Sequence, residues 1–306
     1  MDALIFVLAG AFAMATPLML AALGELVTEK AGILNLSVEG MMAIAAAIAF
    51  MATLKTGSFF VGFLAGGAAG AALSLVFAFL VLVCLANQVA SGLAVGILGL
   101  GMSALAGRAF EGMTLIGMSK FNIPVLSGIP VLGPIFFRQD VMVWIAIALG
   151  IAVTYFLYRT KGGLVLRVIG ENPHSAHSLG LFPTRVRFAA IVFGGFMSGL
   201  AGAYASIVLT PLWSQGMIAG RGWIAVALVV FACWRPVRVM LGAYLFGAVL
   251  LLELAVQSLG LSIPSVILTC MPYALTIFVL TIVSSDASRI RLNAPVSLGE
   301  NFRPAG

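Results

Sequence analysis

Apolar runs long enough to cross a bilayer follow one another from residue 4 to residue 284, and no other feature restricts the fold so severely. A crossing helix needs about twenty mostly apolar residues, because each residue rises about 1.5 Å through a hydrocarbon layer about 30 Å thick. Nine runs are read as spans: 4–23, 38–54, 59–85, 88–107, 139–158, 187–209, 222–234, 239–257 and 265–284. The third is long enough to tilt. The seventh is short and needs neighbouring residues or a broken helix to cross. Of the 306 residues 62% are apolar and 8% charged, against about a quarter charged in a soluble domain. The expected class is an all-α polytopic membrane protein of about nine transmembrane helices, within a range of 8–10.

Basic residues orient the spans. Arg159, Lys161, Arg167, Arg185 and Arg187 follow the fifth, Arg235 and Arg238 follow the seventh, and Arg289, Arg291 and Arg303 lie in the tail. These segments are two spans apart, so all fall on one side, read as the cytoplasm. The N-terminus then faces out, as does segment 108–138, a proline- and glycine-rich outer loop. The net charge of +6 thus belongs to cytoplasmic loops and not to a nucleic-acid surface. The N-terminus lacks a basic leader region and reads as a first span, although AFAMA faintly resembles a cleavage site. Cys84, Cys233 and Cys270 lie in apolar runs without metal-like spacing and read as small packing residues.

Between the first two runs lies GELVTEKAGILNLSVEGMM, residues 24–42, with three glutamates, a lysine and an asparagine. Residues 38–48, VEGMMAIAAAI, have a counterpart at 220–230, GRGWIAVALVV. Each shows a charge, a glycine and a small-and-branched run, after a glycine-punctuated stretch (GILNLS or SQGMIAG). Interrupted apolar segments at corresponding places in two halves point to a transport pathway. Asn35, Ser37, Glu39, Arg221 and Trp223 are therefore candidate pathway or hinge residues. The other reading is interfacial: Glu39 at a helix N-terminus, capped by Asn35 or Ser37. Asn87, Gln88 and Ser91 open the fourth run at helical spacing and face either a cavity or other helices. Glu253 stands inside a span, toward its outer end.

The chain has no GxxxxGK[ST] nucleotide loop, and no nucleophile–base–acid set is evident. Its two histidines, His174 and His177, do not make a metal site, and no cofactor is expected. The informative cytoplasmic loop is GLVLRVIGENPHSAHSLGLFPTRVRF, 163–188. Asn172 caps, Pro173 begins and Gly180 ends a short helix over 173–179. Such a helix packs on the membrane or docks in a partner's groove.

GELVTEKAGILNLSVEGMM, ANQVASGLA, VLRVIGENPHSAHSLGL and GRGWIAVALVVF, in this order, resemble the permease subunits of ATP-binding-cassette importers. The branch is that for branched-chain amino acids, ribose-type sugars and nucleosides, most like the shorter permease of the nucleoside systems. The resemblance covers 10–285. It implies a vitamin B12-importer-like fold of two pseudo-repeat halves, with a single permease domain at 1–285. That domain holds a coupling loop at 159–187, and a cytoplasmic tail follows at 286–306. It implies a second longer permease, cassette ATPase subunits that hydrolyse the ATP, and an extracytoplasmic substrate-binding protein, in a bacterial cytoplasmic (inner) membrane. Glu171, Asn172, Pro173, Ala176 and Gly180 fall on the coupling helix that docks in the ATPase. Relatives usually carry two small residues where this chain has Ala176-His177. The implied function is nucleoside import, with simple sugars as the alternative. An ion-coupled secondary transporter is the rival from another class, and only Glu253 could serve it as a coupling site.

Overall fold

The computed structural model describes residues 2–118, 139–258, 270–284 and 293–303. The main elements of the described part are helices: α1 (Asp2–Lys30), α2 (Val38–Thr56), α3 (Phe59–Ala78), α4 (Gln88–Gly107), α5 (Val141–Arg159), α6 (Lys161–Glu171), α7 (Pro173–Ser178), α8 (Pro183–Tyr204), α9 (Arg221–Phe231), α10 (Pro236–Ser258) and α11 (Met271–Ser284). A π-helical turn extends α3 over Phe79–Val83, and another extends α8 over Ala205–Leu209. Among the described residues seven helices are long and apolar enough to cross a membrane: α1 to α5, α8 and α10. α9, expected as the seventh span, has only 11 residues. The expected loop residues Lys120 and Arg138, the start of the ninth span and the tail cations Arg289 and Arg291 lie outside the described residues.

The helices sort into an inner set and an outer ring. Within their apolar windows α1, α2 and α8 are 78%, 72% and 78% buried, whereas α4, α5 and α10 are 33%, 33% and 29% buried. Large apolar side chains such as Ile97, Leu105 and Leu241 therefore point outward, as lipid permits and water does not. Cys233 is buried, but Cys84 and Cys270 are exposed, so burial holds for only one of the three cysteines.

Lipid gives apolar faces no reason to leave it, so the inner set is held by close approach and by polar bonds between helices. A Cβ on Gly40 of α2 would collide with the backbone of Gly96 on α4. A Cβ on Gly195 of α8 would meet Ser74 and the backbone of Gly70 on α3. Three hydroxyls bond across helix pairs, one on the α2–α4 seam and the others between α8 and its neighbours α2 and α1. Ser103 Oγ donates to the Ala43 carbonyl at 2.8 Å, Ser206 Oγ to Ala46 at 2.8 Å, and Thr28 Oγ1 to Ala190 at 3.1 Å.

α1 runs past the expected end of the first span at residue 23 and stays helical to Lys30. Glu25 and Glu29 are thus turned into the protein and fully buried. Asn35 N–H donates to Glu25 Oε1 at 3.0 Å, and Trp234 Nε1 donates to Glu29 Oε2. The polar stretch 24–37 is therefore a connection only from Ala31 onward. Caps fix other ends: Asp140 Oδ1 accepts from the Met142 and Val143 amides of α5, and its Oδ2 accepts from Tyr204 Oη at 2.6 Å.

The packing gives a paired prediction. Gly40→Leu drives α2 off α4 and costs about 1–3 kcal/mol as an overpacked core position. Gly101→Leu, where an added Cβ meets nothing within 4 Å, leaves stability unchanged. Thermal melting of the detergent-solubilised variants checks this, and equal melting temperatures would refute the α2–α4 seam.

Candidate functional site

The helix starts matched in the sequence, Val38 of α2 and Arg221 of α9, meet inside the protein. The link is Glu39, whose Oε1 accepts from Gly220 N–H at 2.8 Å and whose Oε2 accepts from Gly222 N–H at 2.7 Å. Both amides belong to the first turn of α9, where donors have no partner within the helix. One carboxylate therefore caps a helix from the other half of the chain and faces its positive dipole end. The arrangement needs glycine twice. Gly220 sits at φ +83°, after Ala219 at φ +51°, and a Cβ on Gly222 would lie 2.5 Å from Glu39 Cα.

Glu39 also lines a cavity of about 170 Å³ with Ala43 of α2, Leu100 and Ser103 of α4, and Trp213 and Gln215 of the 213–219 segment. Beside the Glu39 cap, Arg221 Nη1 is buried without a hydrogen-bond partner among the described residues. A carboxylate, a hydroxyl, an amide side chain and an indole thus converge between α2, α4 and the approach to α9. That set offers hydrogen-bonding groups and a ring face to a polar, ring-bearing solute. A larger cavity of about 600 Å³ between α5, α6 and α8 is lined almost wholly by apolar side chains, with Arg185 the exception, and offers no such set.

The other sequence candidates divide between building and exposure. Asn35 is fully buried and turns the chain into α2, its Oδ1 accepting from Ser37 N–H at 3.0 Å and from Ser37 Oγ. Trp223 is exposed on α9. Asn87 caps α4 by accepting from Ala90 N–H at 3.0 Å. Gln88 and Ser91 are buried, but all three stand outside the Glu39 cavity. Glu253 is 3.4 Å from Gln257 Nε2, one helical turn away.

The loop helix forms as read, one residue shorter. Asn172 Oδ1 accepts from Ser175 N–H at 3.0 Å, Pro173 occupies the first turn, and Gly180 at φ +80° ends it. Pro173 and Ala176 face the protein, whereas Glu171, Asn172, His177 and Gly180 are exposed. Leu179 is 77% and Phe182 59% exposed beside them, with the Arg185 guanidinium stacked on Phe182. Leu179 and Phe182 thus leave apolar surface exposed beside α7.

Sequence reasoning missed Ser103, Trp213 and Arg187. Arg187 reads as a loop cation yet is fully buried, donating through Nε to the Ala31 carbonyl at 3.0 Å.

The family described as branched-chain amino acid transport system / permease component matches residues 7–282. TsgC13 of Haloferax volcanii, provisionally named a glucose ABC transporter permease protein, is 39% identical, covering 94% of each chain. The guanosine ABC transporter permease NupQ of Bacillus subtilis is 34% identical over 87% of this chain and 88% of its own. The nucleoside ABC transporter permease NupC of Lactococcus lactis is 32% identical over 94% and 93%. No solved structure matches.

The cap predicts a graded loss. Glu39→Leu strands two buried amides at about 1–3 kcal/mol each, whereas Glu39→Gln keeps the shape and one acceptor oxygen. Thermal melting is expected to rank native, then Gln, then Leu. A Leu variant as stable as the native chain would show that the cap does not hold α9.

Proposed function

We propose, from the premise that the chain belongs to the branched-chain amino acid transport permease family, that it carries nucleosides through the membrane as one half of an ATP-driven importer. It is a permease subunit of an ABC transporter and a multi-pass membrane protein. The observation that carries the substrate reading is the pair of nucleoside-transporting relatives matched along nearly the whole chain. A base offers a flat ring and a ribose offers hydroxyls, and Trp213, Gln215, Ser103 and Glu39 answer both. The second reading is a simple sugar, favoured by the relative named for glucose. Ribose-type polar contacts are common to both substrates.

In this reading α9 and α11 complete nine spans in a vitamin B12-importer-like arrangement of two pseudo-repeat halves. The N-terminus faces out, and the tail faces the cytoplasm of a cytoplasmic membrane. The single permease domain spans 1–285. A second, longer permease supplies the other half of the pathway, an extracytoplasmic binding protein delivers the solute, and separate ATPase subunits hydrolyse ATP. The coupling helix is α7. Glu171, Asn172 and Gly180 form its outward side, while Pro173 and Ala176 seat it on the body. The pathway runs past Glu39 and Arg221. Asn35 and Ser37 shape the turn into α2, and Asn87, Gln88 and Ser91 set the start of α4. Trp223 faces the neighbouring permease or lipid. Closure of the ATPases moves α7, and the helices rock as rigid bodies between outward and inward states.

Two experiments test this. Cells with the gene take up labelled adenosine, lose uptake when ATP is depleted at constant proton gradient, and ignore excess glucose. Competition by glucose would move the substrate to sugars, and uptake that survives ATP loss would overturn the importer. Second, Gly180→Pro, which forces φ near −65° where +80° is required, and Glu171→Arg abolish transport while the chain still reaches the membrane. Normal uptake in both variants would remove α7 as the coupling helix.

A further inference from the structure

Residues 293–303 lie across the end of the bundle that carries α7, and the body holds them at every step. Lys30 Nζ donates to the Asn293 carbonyl at 2.7 Å. Ser297 N–H donates to the Gly170 carbonyl at 3.0 Å, and Ser297 Oγ donates to it at 2.7 Å. Arg187 Nη2 donates to Ser297 Oγ at 2.9 Å and Nη1 to the Glu300 carbonyl at 3.0 Å. Gln88 Nε2 donates to the Glu300 carbonyl at 3.2 Å, while its Oε1 accepts from Leu34 N–H at 2.8 Å. Asn301 Nδ2 donates to the Leu85 carbonyl at 2.6 Å and the Ala86 carbonyl at 2.9 Å. The Phe302 ring is 7% exposed and stands 5.1 Å from the His174 ring and 5.7 Å from that of His177.

Two features separate this segment from a tail that merely lies on a surface. Arg187 is a fully buried cation, and two of its three hydrogen bonds end on the segment, so its removal would leave a charged group short of partners. The segment also ends on a special piece of backbone. Leu85 is a non-glycine residue at φ +52°, in the turn between the π-helical end of α3 and the first residue of α4. Such conformations persist only where surrounding bonds over-determine them, and Asn301 supplies two. Past that turn, α4 carries Leu100 and Ser103 into the wall of the Glu39 cavity.

We propose that residues 293–303 are a strap that transmits displacement of α7 to the α3–α4 turn, and so sets the position of α4 at the cavity. Phe302 grips α7 through His174 and His177, and Asn301 grips Leu85 and Ala86 one residue earlier. This device rests on the reading of α7 as the coupling helix and adds the route by which its motion reaches the pathway. The rings of His174 and His177 give the strap its hold on α7.

The test uses the complex purified with its ATPase subunits, in a Cys84→Ser/Cys270→Ser background carrying Val89→Cys at the exposed start of α4. ATP is expected to change the alkylation rate of that cysteine by about five-fold or more, the lower end of typical coupling between sites. Asn301→Ala, Phe302→Ala and their combination each abolish the response while the ATPase stays bound, and the double variant loses no more than either single one. A response that persists in both single variants overturns the strap, as does an unresponsive cysteine in the unaltered complex. Loss of ATPase binding in Asn301→Ala would make the segment a scaffold and overturn it equally. A chain with an unaltered strap that binds no ATPase fails the importer reading instead, which is read before any strap variant is made.

Discussion

A carboxylate inside an apolar bundle must be answered by donors, and the answer to Glu39 organises this protein. Its two oxygens are filled by backbone amides of α9, so neither water nor a salt bridge is needed. The bond pair fixes where α9 begins and how closely it approaches α2. It also makes the glycines at 220 and 222 obligatory on different grounds, one for its backbone angle and the other for lack of space. Once α2 and α9 are joined, the chain between α8 and α9 is committed to the face of α4, and the cavity follows.

The polar region around Lys30 and Arg187 works differently. Around the ends of α1, α6 and α8, neutral carbonyls and hydroxyls are gathered about buried cations: Lys30 on Asn293, and Arg187 on Ala31, Glu300 and Ser297. Carbonyl partners satisfy donors without adding another charge to desolvate, which suits a site that must hold together and still shift. Glu25 Oε2 and Glu29 Oε1 remain buried without partners among the described residues, so α1 keeps polar capacity that this arrangement leaves unused.

Much of this was legible before any coordinates. Apolar run length located the seven helices that can span, because the bilayer sets a length that helices must meet, whereas the expected seventh span formed a helix of only 11 residues. Asn172, Pro173 and Gly180 announced α7, because capping and left-handed backbone are local chemistry. The similarity between 38–48 and 220–230 pointed to the segments that meet at Glu39. Long-range partners were not legible. Nothing local distinguishes Arg187, which is buried, from Arg185, which stacks on Phe182 at the surface. Helical continuation past Gly24 was also hidden, since Glu25 and Glu29 look like loop residues until Asn35 and Trp234 are seen beneath them. Gln88 read as a pathway residue because a polar side chain at helical spacing could equally face a cavity or another segment. Its partners, Leu34 and Glu300, lie 54 and 212 positions away.

The cavity beside Glu39, at about 170 Å³, is smaller than the roughly 300–1,000 Å³ of ordinary small-molecule sites. On the proposed pathway past Glu39 this cavity must enlarge to pass a nucleoside or a sugar, and the bonding indicates which wall would move. Separating α2 from α9 would strand two amides and a carboxylate in an apolar setting, at the cost of a broken buried pair. Near the cavity, moving α4 strains one side-chain hydrogen bond, Ser103–Ala43, and the left-handed turn at Leu85, which Asn301 holds, is where α4 would pivot. The glycines of α4 also face α2 through backbone without interlocking side chains, which lets the helices slide. Enlargement is thus cheapest when α2 and α9 travel as one body and α4 swings against them.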